Sequence, residues 1–400
     1  MRTKLNNSTW PLELLGKTVE ITKGKKPAVF IEPSAHTLAY LEASFLRGLR
    51  EARHVPYARE SGIIIANESD TLIVWDGNAG DVFFGHFGAV ASTMARVRTL
   101  TERILPEYLY YFLRFLSPHI KQTAMGTTVK HVRRRVFNES RIPVPPLSVQ
   151  NHIVCILKAA GIIRRKRRET LQTADAILPA YFVSMFGDPE KPRENLERVK
   201  LGDISDLRSG VTKGRKLSVS ETVKVPYLCV ANVQDGFLDL SEVKTIEVSL
   251  KEAAKYCLQY GDVLITEGGD PDKLGRGCIW HNQIEYCIHQ NHIFRVRPNP
   301  SKLTPEYLAA LLRTQYAKRY FLSCAKCSSN LASLNMAQVK AFPIPLPPLQ
   351  SQIKFVNAVG QWARVSETIT CAVTGTDNLF QSILGNIFAG KLSTEWYAPK

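Results

Sequence analysis

The stretch Arg141-Ile142-Pro143-Val144-Pro145-Pro146-Leu147 returns later in the chain as Ala341-Phe342-Pro343-Ile344-Pro345-Leu346-Pro347-Pro348-Leu349. Each Pro-Pro-Leu opens a long segment with apolar residues at helical spacing. The two segments end in Met185-Phe186-Gly187-Asp188 and Ile387-Phe388-Ala389-Gly390. Pro145 to Pro347 is a shift of 202, and Phe186 to Phe388 is the same shift. Equal shifts at both ends mean that the helix between them has one length in both copies. Loops tolerate changes of length, whereas a helix that sets a distance does not. The period is too long for a solenoid and implies a duplicated domain.

Working outward, Pro106-Glu107-Tyr108-Leu109 matches Pro305-Glu306-Tyr307-Leu308, and Arg96-Val97-Arg98 matches Arg295-Val296-Arg297, both at a shift of 199. Val55-Pro56-Tyr57 matches Val225-Pro226-Tyr227 at a shift of 170. Leu15-Gly16 and Thr22-Lys23-Gly24-Lys25-Lys26 match Leu201-Gly202 and Thr212-Lys213-Gly214-Arg215-Lys216. Varying shifts indicate loop insertions within a shared fold, so each diverged part is a domain of about 150 residues.

Residues 1–100 and 195–300 read as β-rich with short helices. The signals are short β-branched runs between turn residues: Gly62-Ile63-Ile64-Ile65, Thr71-Leu72-Ile73-Val74-Trp75, Asp262-Val263-Leu264-Ile265 and His292-Ile293-Phe294-Arg295-Val296. After Pro106 and Pro305 the apolar spacing becomes helical, and proline suits a first helical turn because its missing N–H costs nothing there. The segments 148–186 and 350–388 are expected to be long helices. Ile153, Leu157, Ala160, Leu171, Ala174 and Leu178 form the seam of the first. Phe355, Val359, Trp362, Ile369, Val373, Phe380, Ile383 and Ile387 form that of the second. Such narrow seams predict that the two helices pair as a coiled coil. Arg164 to Arg168 interrupt the first seam, and Pro179 is expected to kink or end that helix.

The chain has 400 residues, 44% of them apolar, and 52 Lys and Arg against 36 Asp and Glu, a net charge of +16. This length and apolar content suit two globular domains plus a helical part. The charge points to a polyanionic partner, most simply nucleic acid, with an anionic membrane surface as the rival. The polar start, Met1-Arg2-Thr3-Lys4-Leu5-Asn6-Asn7, lacks the apolar core of a signal peptide, and no apolar run reaches membrane-spanning length. A cytoplasmic protein with reduced cysteines is expected. Cys324-Ala325-Lys326-Cys327 has metal-ligand spacing, but no second close Cys pair accompanies it. Cys278, His281, Cys287, His289 and His292 are further donors. The first copy has no cysteines at the matching place, so no metal site is expected.

Catalytic motifs are missing. Every Pro-Pro is followed by Leu, so the Asn/Asp-Pro-Pro-aromatic motif of a DNA methyltransferase is absent, as is a Gly-x-x-x-x-Gly-Lys-Ser/Thr phosphate loop. Asp262, Glu267 and Asp270 are suggestive acids without the Glu-x-Lys element of a metal nuclease. No catalytic residue is assigned, which leaves binding. Lys130, His131, Arg133, Arg134 and Arg135 form a dense basic run between the helical stretch and the Pro-Pro linker. Lys23, Lys25 and Lys26, and Lys213, Arg215 and Lys216, flank glycines that let the backbone approach phosphates closely. Lys273 adds a cation. Asn78, Asn232, Gln234, Arg276 and Asn330 are amides and arginines able to make the paired hydrogen bonds that read bases.

The duplicated Pro-Leu-Pro-Pro-Leu before a long helix, Gly261-Asp262-Val263-Leu264-Ile265-Thr266 upstream, and Phe388-Ala389-Gly390-Lys391-Leu392 at the end resemble the specificity subunit of type I restriction-modification systems. The resemblance spans nearly the whole chain. It is strongest over 199–390 and weaker over 1–100, where a Gly-Asp-Ile-Leu strand motif is reduced to Asp70-Thr71-Leu72-Ile73-Val74. It implies an α/β (α+β) fold. Two tandem target-recognition domains, 1–147 and 191–347, would be separated by spacer helices, 148–190 and 348–400, forming an antiparallel coiled coil. Each domain would read one half of a split site in double-stranded DNA. Two methyltransferase subunits, and restriction subunits where the system has them, would join the chain. S-adenosylmethionine, ATP and magnesium would belong to those partners and none to this chain. A stand-alone DNA-binding adaptor is the alternative. A helix of about 40 residues spans about 60 Å, at most about 17 base pairs of B-DNA, and the unread spacer is expected to be shorter.

Overall fold

A computed structural model describes residues 10–57, 62–126, 130–191, 196–214, 221–270, 273–327 and 331–389. The chain divides into two compact units, Met1–Glu169 with Cys371–Lys400, and Thr170–Thr370. Each unit takes in part of each long helix.

In unit 1 a four-stranded antiparallel sheet has the order Val19–Lys23, Met94–Thr99, Thr71–Val74, Val82–Phe84. A second sheet has the order Arg53–Pro56, Thr37–Leu41, Gly88–Val90, Ile65–Ala66, with Thr37–Leu41 running parallel to Gly88–Val90. The central strand Thr71–Val74 is buried throughout because it serves two cores. Ile73 faces the helix Pro106–Thr123, whereas Leu72 and Val74 face the second sheet. A strand covered on both faces favours apolar side chains on both, which explains the consecutive Leu72, Ile73 and Val74.

Unit 2 repeats the plan. Its first sheet runs Ser205–Ser209, Ile293–Pro298, Val263–Thr266, Gly277–Ile279. Its second runs Lys244–Ser249, Thr222–Leu228, Ile288–His289. Val263 and Ile265 enter one core and Leu264 the other. The helix after Pro305 is broken into Pro305–Leu312 and Gln315–Cys324, the second capped by the Thr314 hydroxyl.

Strand register identifies equivalent residues and corrects two of the sequence matches. Lys23 lies opposite Ala95, and Ser209 opposite Phe294. Aligning Arg96–Arg98 on Arg295–Arg297 therefore makes Gly210, not Gly214, the counterpart of Gly24. Both are glycines because a Cβ would collide with backbone: 2.2 Å from the Val90 and Ala91 oxygens at Gly24, and 2.0 Å from the His289 oxygen at Gly210. The basic segment Thr212–Lys216 is thus offset by four residues from Thr22–Lys26. The second correction concerns Val225-Pro226-Tyr227. It lies in the strand paired parallel to Ile288–His289, whose counterpart is Thr37–Leu41, paired parallel to Gly88–Val90. Val55-Pro56-Tyr57 begins in the neighbouring strand Arg53–Pro56, so that likeness is coincidental.

Two further pairs of equivalent residues stabilise each unit internally. Asp70 and Asp262 each accept two hydrogen bonds from an arginine, Arg98 and Arg297, at 2.7 to 2.8 Å. Each also accepts a backbone N–H three residues earlier, from Asn67 and Gln259. The acid of the strand motif is therefore retained in unit 1 although its flanking residues have changed. Asp262 is a buried structural carboxylate, which answers its reading as a possible nuclease acid. Gln150 and Gln352, both wholly buried, clamp the start of each long helix. Gln150 accepts from the Leu105 N–H at 2.9 Å and donates to the Arg103 and Pro145 carbonyls. Gln352 does the same with Thr304, Lys302 and Pro347.

The first long segment is helical over Leu147–Asp175 and again over Ile177–Phe186. The break sits where Pro179 dictates: it has no N–H for the Asp175 carbonyl four residues back. Gly187, at φ 83°, ends the segment. The second helix, Leu349–Phe388, is unbroken over 40 residues. Within unit 1 the helices pack antiparallel: Gly161 lies against Phe380, and Arg164 and Arg168 reach Asp377 at 2.5 and 2.6 Å. Arg164 also lies 5.1 Å over the Phe380 ring. The arginines that interrupt the apolar seam are thereby accommodated by an acid and an aromatic face on the partner helix. Within unit 2, Phe182 and Phe186 pack their rings 5.6 Å from that of Phe355.

Candidate nucleic-acid interface

Parallel and antiparallel pairing bring a set of loops to one end of each unit's sheets. In unit 1 these are the segments after Lys23, after Leu41, between Val74 and Val82, and after Thr123. Asp76, in the turn after Thr71–Val74, gathers two of the expected cations: Lys23 Nζ at 2.6 Å and His131 Nδ1 at 2.7 Å. Burial raises the Asp76 carboxyl, but the hydrogen bonds from His131 and Lys23 outweigh it and hold the group below the usual carboxylate range. The Lys130 carbonyl accepts the Gly77 N–H at 2.8 Å, and Asn78 is exposed in the same turn. Lys23, Asn78, Lys130 and His131, far apart in sequence, therefore form one patch. Nothing in the spacing along the chain marks Asp76 as their organiser.

Lys25 and Lys26 continue from Gly24 and are exposed. Val132 donates its N–H to the Trp75 carbonyl at 2.9 Å, so the basic run leaves the same patch. Arg133, Arg134 and Arg135 are exposed at the start of the helix Arg134–Glu139. Arg135 is partly engaged, its Nε donating to Glu139 at 2.7 Å.

In unit 2 the same end carries Gln234, Lys273 and Arg276 together. Arg276 Nη1 donates to Gln234 Oε1 at 2.8 Å, and its Nε donates to the Lys273 carbonyl at 3.2 Å. The Lys273 ammonium pairs with Asp270. Glu267 and His292 meet at 2.6 Å beside them. Lys213 is exposed, with its ammonium 4.9 Å over the Tyr227 ring. Asn232 is a correction: it is 4% exposed and its amide is fully used. Its nitrogen donates to the Asp239 and Glu242 carbonyls at 2.8 and 2.9 Å, and its oxygen accepts the Cys229 N–H at 2.9 Å. It shapes the loop after Leu228 and has nothing left with which to read a base. Arg215, Lys216 and Asn330 lie outside the described residues.

Burial pushes the Cys278 and Cys287 thiols up to about 12, so neither is a ready thiolate ligand. Among the described residues no three His, Cys, Asp or Glu are placed to hold a metal ion, and no helix is long and apolar enough to cross a membrane. Two repeated units thus present cationic, amide-bearing loops at the end of a sheet.

The model of the family described as "Type I restriction modification DNA specificity domain" matches twice, over residues 15–173 and 193–367. The chain belongs to this family. Among curated relatives, the specificity subunit of the type I restriction enzyme MjaVIII from Methanocaldococcus jannaschii is 27% identical over 86% of this chain and 83% of its own length. The EcoKI specificity subunit of Escherichia coli is 24% identical over 70% of this chain and 63% of its own length. A solved chain of a type I restriction-modification system shares the fold with a TM-score of 0.59 at 17% identity, covering 96% of this chain and 98% of that one. The S subunit of M. genitalium does so with a TM-score of 0.51 at 14% identity, covering 96% and 97%. The two matches of the family model fall on the two repeats of the fold, and the helices after each Pro-Pro-Leu fit the coiled-coil linkers of this specificity subunit.

Proposed function

We propose that this specificity subunit reads a split, asymmetric site in double-stranded DNA, one half with each unit, and positions methyltransferase subunits on it. The observation that carries the reading is the double family match onto two units of one fold whose loop ends differ. Two different sets of side chains on one scaffold select two different half-sites, which a symmetric dimer of identical chains cannot do. The side chains proposed to touch DNA are Lys23, Lys25, Lys26, Asn78, Lys130, His131 and Arg133 to Arg135 in unit 1. In unit 2 they are Lys213, Lys273 and Arg276, with Gln234 in support.

The chain itself carries out no bond-making step in this reading. S-adenosylmethionine, ATP and magnesium act in two methyltransferase subunits and in restriction subunits where these are present. Large apolar side chains left exposed on the long helices support such partners: Ile162, Ile163, Tyr181, Ile353, Val365 and Leu379. Cytoplasmic residence follows from the same role. The test is to sequence native DNA for modified bases in cells with and without this chain. A bipartite modified motif that disappears with the chain is expected. Modification that is unaffected by its loss would refute the reading.

A further inference from the structure

At one equivalent place the two units make the same contact with opposite charge. Val74 donates its N–H to the Asp81 carbonyl and Thr266 donates its own to the Arg276 carbonyl, so Asp81 and Arg276 occupy matching sites at the start of matching strands. Arg47 and Gln234 follow the short helices that succeed the paired strands Thr37–Leu41 and Thr222–Leu228. In unit 1, Arg47 Nε donates to the Asp81 carboxylate at 3.0 Å, and Lys121 pairs with the same carboxylate. In unit 2 the direction reverses, and Arg276 donates to Gln234. Asp81 is an acid neutralised by two cations. Arg276 is a cation whose hydrogen-bond acceptors, Gln234 Oε1 and the Lys273 carbonyl, are both neutral, and the nearby Asp270 carboxylate pairs with Lys273 instead.

Resting on the DNA-reading function proposed above, we infer that Arg276 is a specificity-determining residue of unit 2, reading a guanine in its half-site. Gln234 is the residue that positions it. The site lies at the loop end of the sheet, beside Lys273. Nε and one hydrogen of Nη1 are engaged, and among the described residues Nη2 has no partner. The free edge of the guanidinium is the planar fork that matches guanine O6 and N7 in the major groove. A phosphate contact needs charge but no such holding, whereas a base edge needs a fork of set orientation. Gln234 is oriented toward the protein, its amide nitrogen donating to the Ala231 carbonyl at 2.7 Å and its oxygen holding Arg276, which assigns it to positioning rather than to base contact. Among the described residues, the donors of unit 1 at this place, Arg47 and Lys121, are turned onto Asp81. The half-site read by unit 1 is therefore selected elsewhere on its surface.

The test replaces the full chain in its native cells with Arg276→Ala, Arg276→Lys, Gln234→Ala or Gln234→Glu. Modified motifs are then mapped by sequencing, and affinity of the purified full chains for random duplex DNA is measured. Arg276→Ala and Arg276→Lys are expected to relax one guanine position of one half-site, with discrimination there falling about 10- to 100-fold. Arg276→Lys keeps the charge but not the fork, so it separates base reading from loss of charge or of folding. Gln234→Ala should relax the same position to a smaller extent, and Gln234→Glu, which pairs the guanidinium with a carboxylate as Arg47 is paired with Asp81, should weaken the reading of that position as well. A purely structural role for Gln234 would not move one base preference. An unchanged motif in both Arg276 variants overturns the inference, as does a uniform loss of affinity for all sequences. If the wild-type chain directs no bipartite motif at all, the function on which the inference rests fails with it.

Discussion

Gly24 and Gly210 show how far one residue can depend on a distant strand. Each is excluded from having a side chain by backbone oxygens that the sequence places more than 60 residues away. Gly214, by contrast, has a positive φ of 74° and open space around it. Gly210→Ala is expected to destabilise the chain by about 3 kcal/mol, because backbone has to move. Gly214→Ala should cost only about 1 kcal/mol of conformational strain. Urea unfolding of the two variants checks this, and equal midpoints would show that the equivalence with Gly24 is misassigned. Asp70 gives a pH signature. Burial raises its carboxyl, but the Arg98 guanidinium and the Asn67 N–H more than offset this and leave the value below the usual range. A carboxyl depressed in the folded state contributes stability above its unfolded value, near pH 4, and loses it as pH falls through the folded value. Unfolding free energy measured from about pH 5 down to pH 2 should therefore fall less steeply in Asp70→Asn than in the parent. The same slope in both would remove Asp70 from the account.

At the scale of elements, the helices were legible where local rules operate. Proline at the first turn, apolar spacing and a glycine stop mark their ends, and the missing N–H of Pro179 accounts for the break at Ala176. Helix pairing was legible as a seam, but its polar anchor was not. Asp377 lies 209 and 213 residues from the two arginines it binds. Asp377→Ala should lower stability by about 1 kcal/mol, as expected of partly exposed ion pairs. The difference should be larger at low salt, because added ions screen such pairs. Thermal unfolding at two ionic strengths measures both, and a salt-independent difference would point to packing rather than charge. The strands were legible only in part. The run Gly62–Ile65 was expected to be strand, yet the regular ladder covers only Ile65 and Ala66, opposite Ala89 and Gly88, with one further bond from the Val90 N–H to the Ile64 carbonyl at 2.8 Å.

For the whole molecule, the equal length of the two Pro-Pro-Leu helices is the quantity expected to set the spacer in the proposed site. Four residues added to both helices, after Glu169 and after Thr370, lengthen each by about 6 Å. The unread spacer of the modified motif should then grow by about two base pairs. A motif map with the original spacer would separate helix length from spacing. The duplication, the fold class and the family were all written in residue order, because a repeat is a relation between segments that can be read off a line. So were the cationic runs. Which of those side chains remain free to meet DNA was not. Asn232 is consumed by carbonyls of its own loop, Lys23 and His131 are drawn onto Asp76, and Arg276 is held ready by Gln234. Those assignments arise only when strands pair, because register, not spacing along the chain, decides which polar groups come within hydrogen-bond reach.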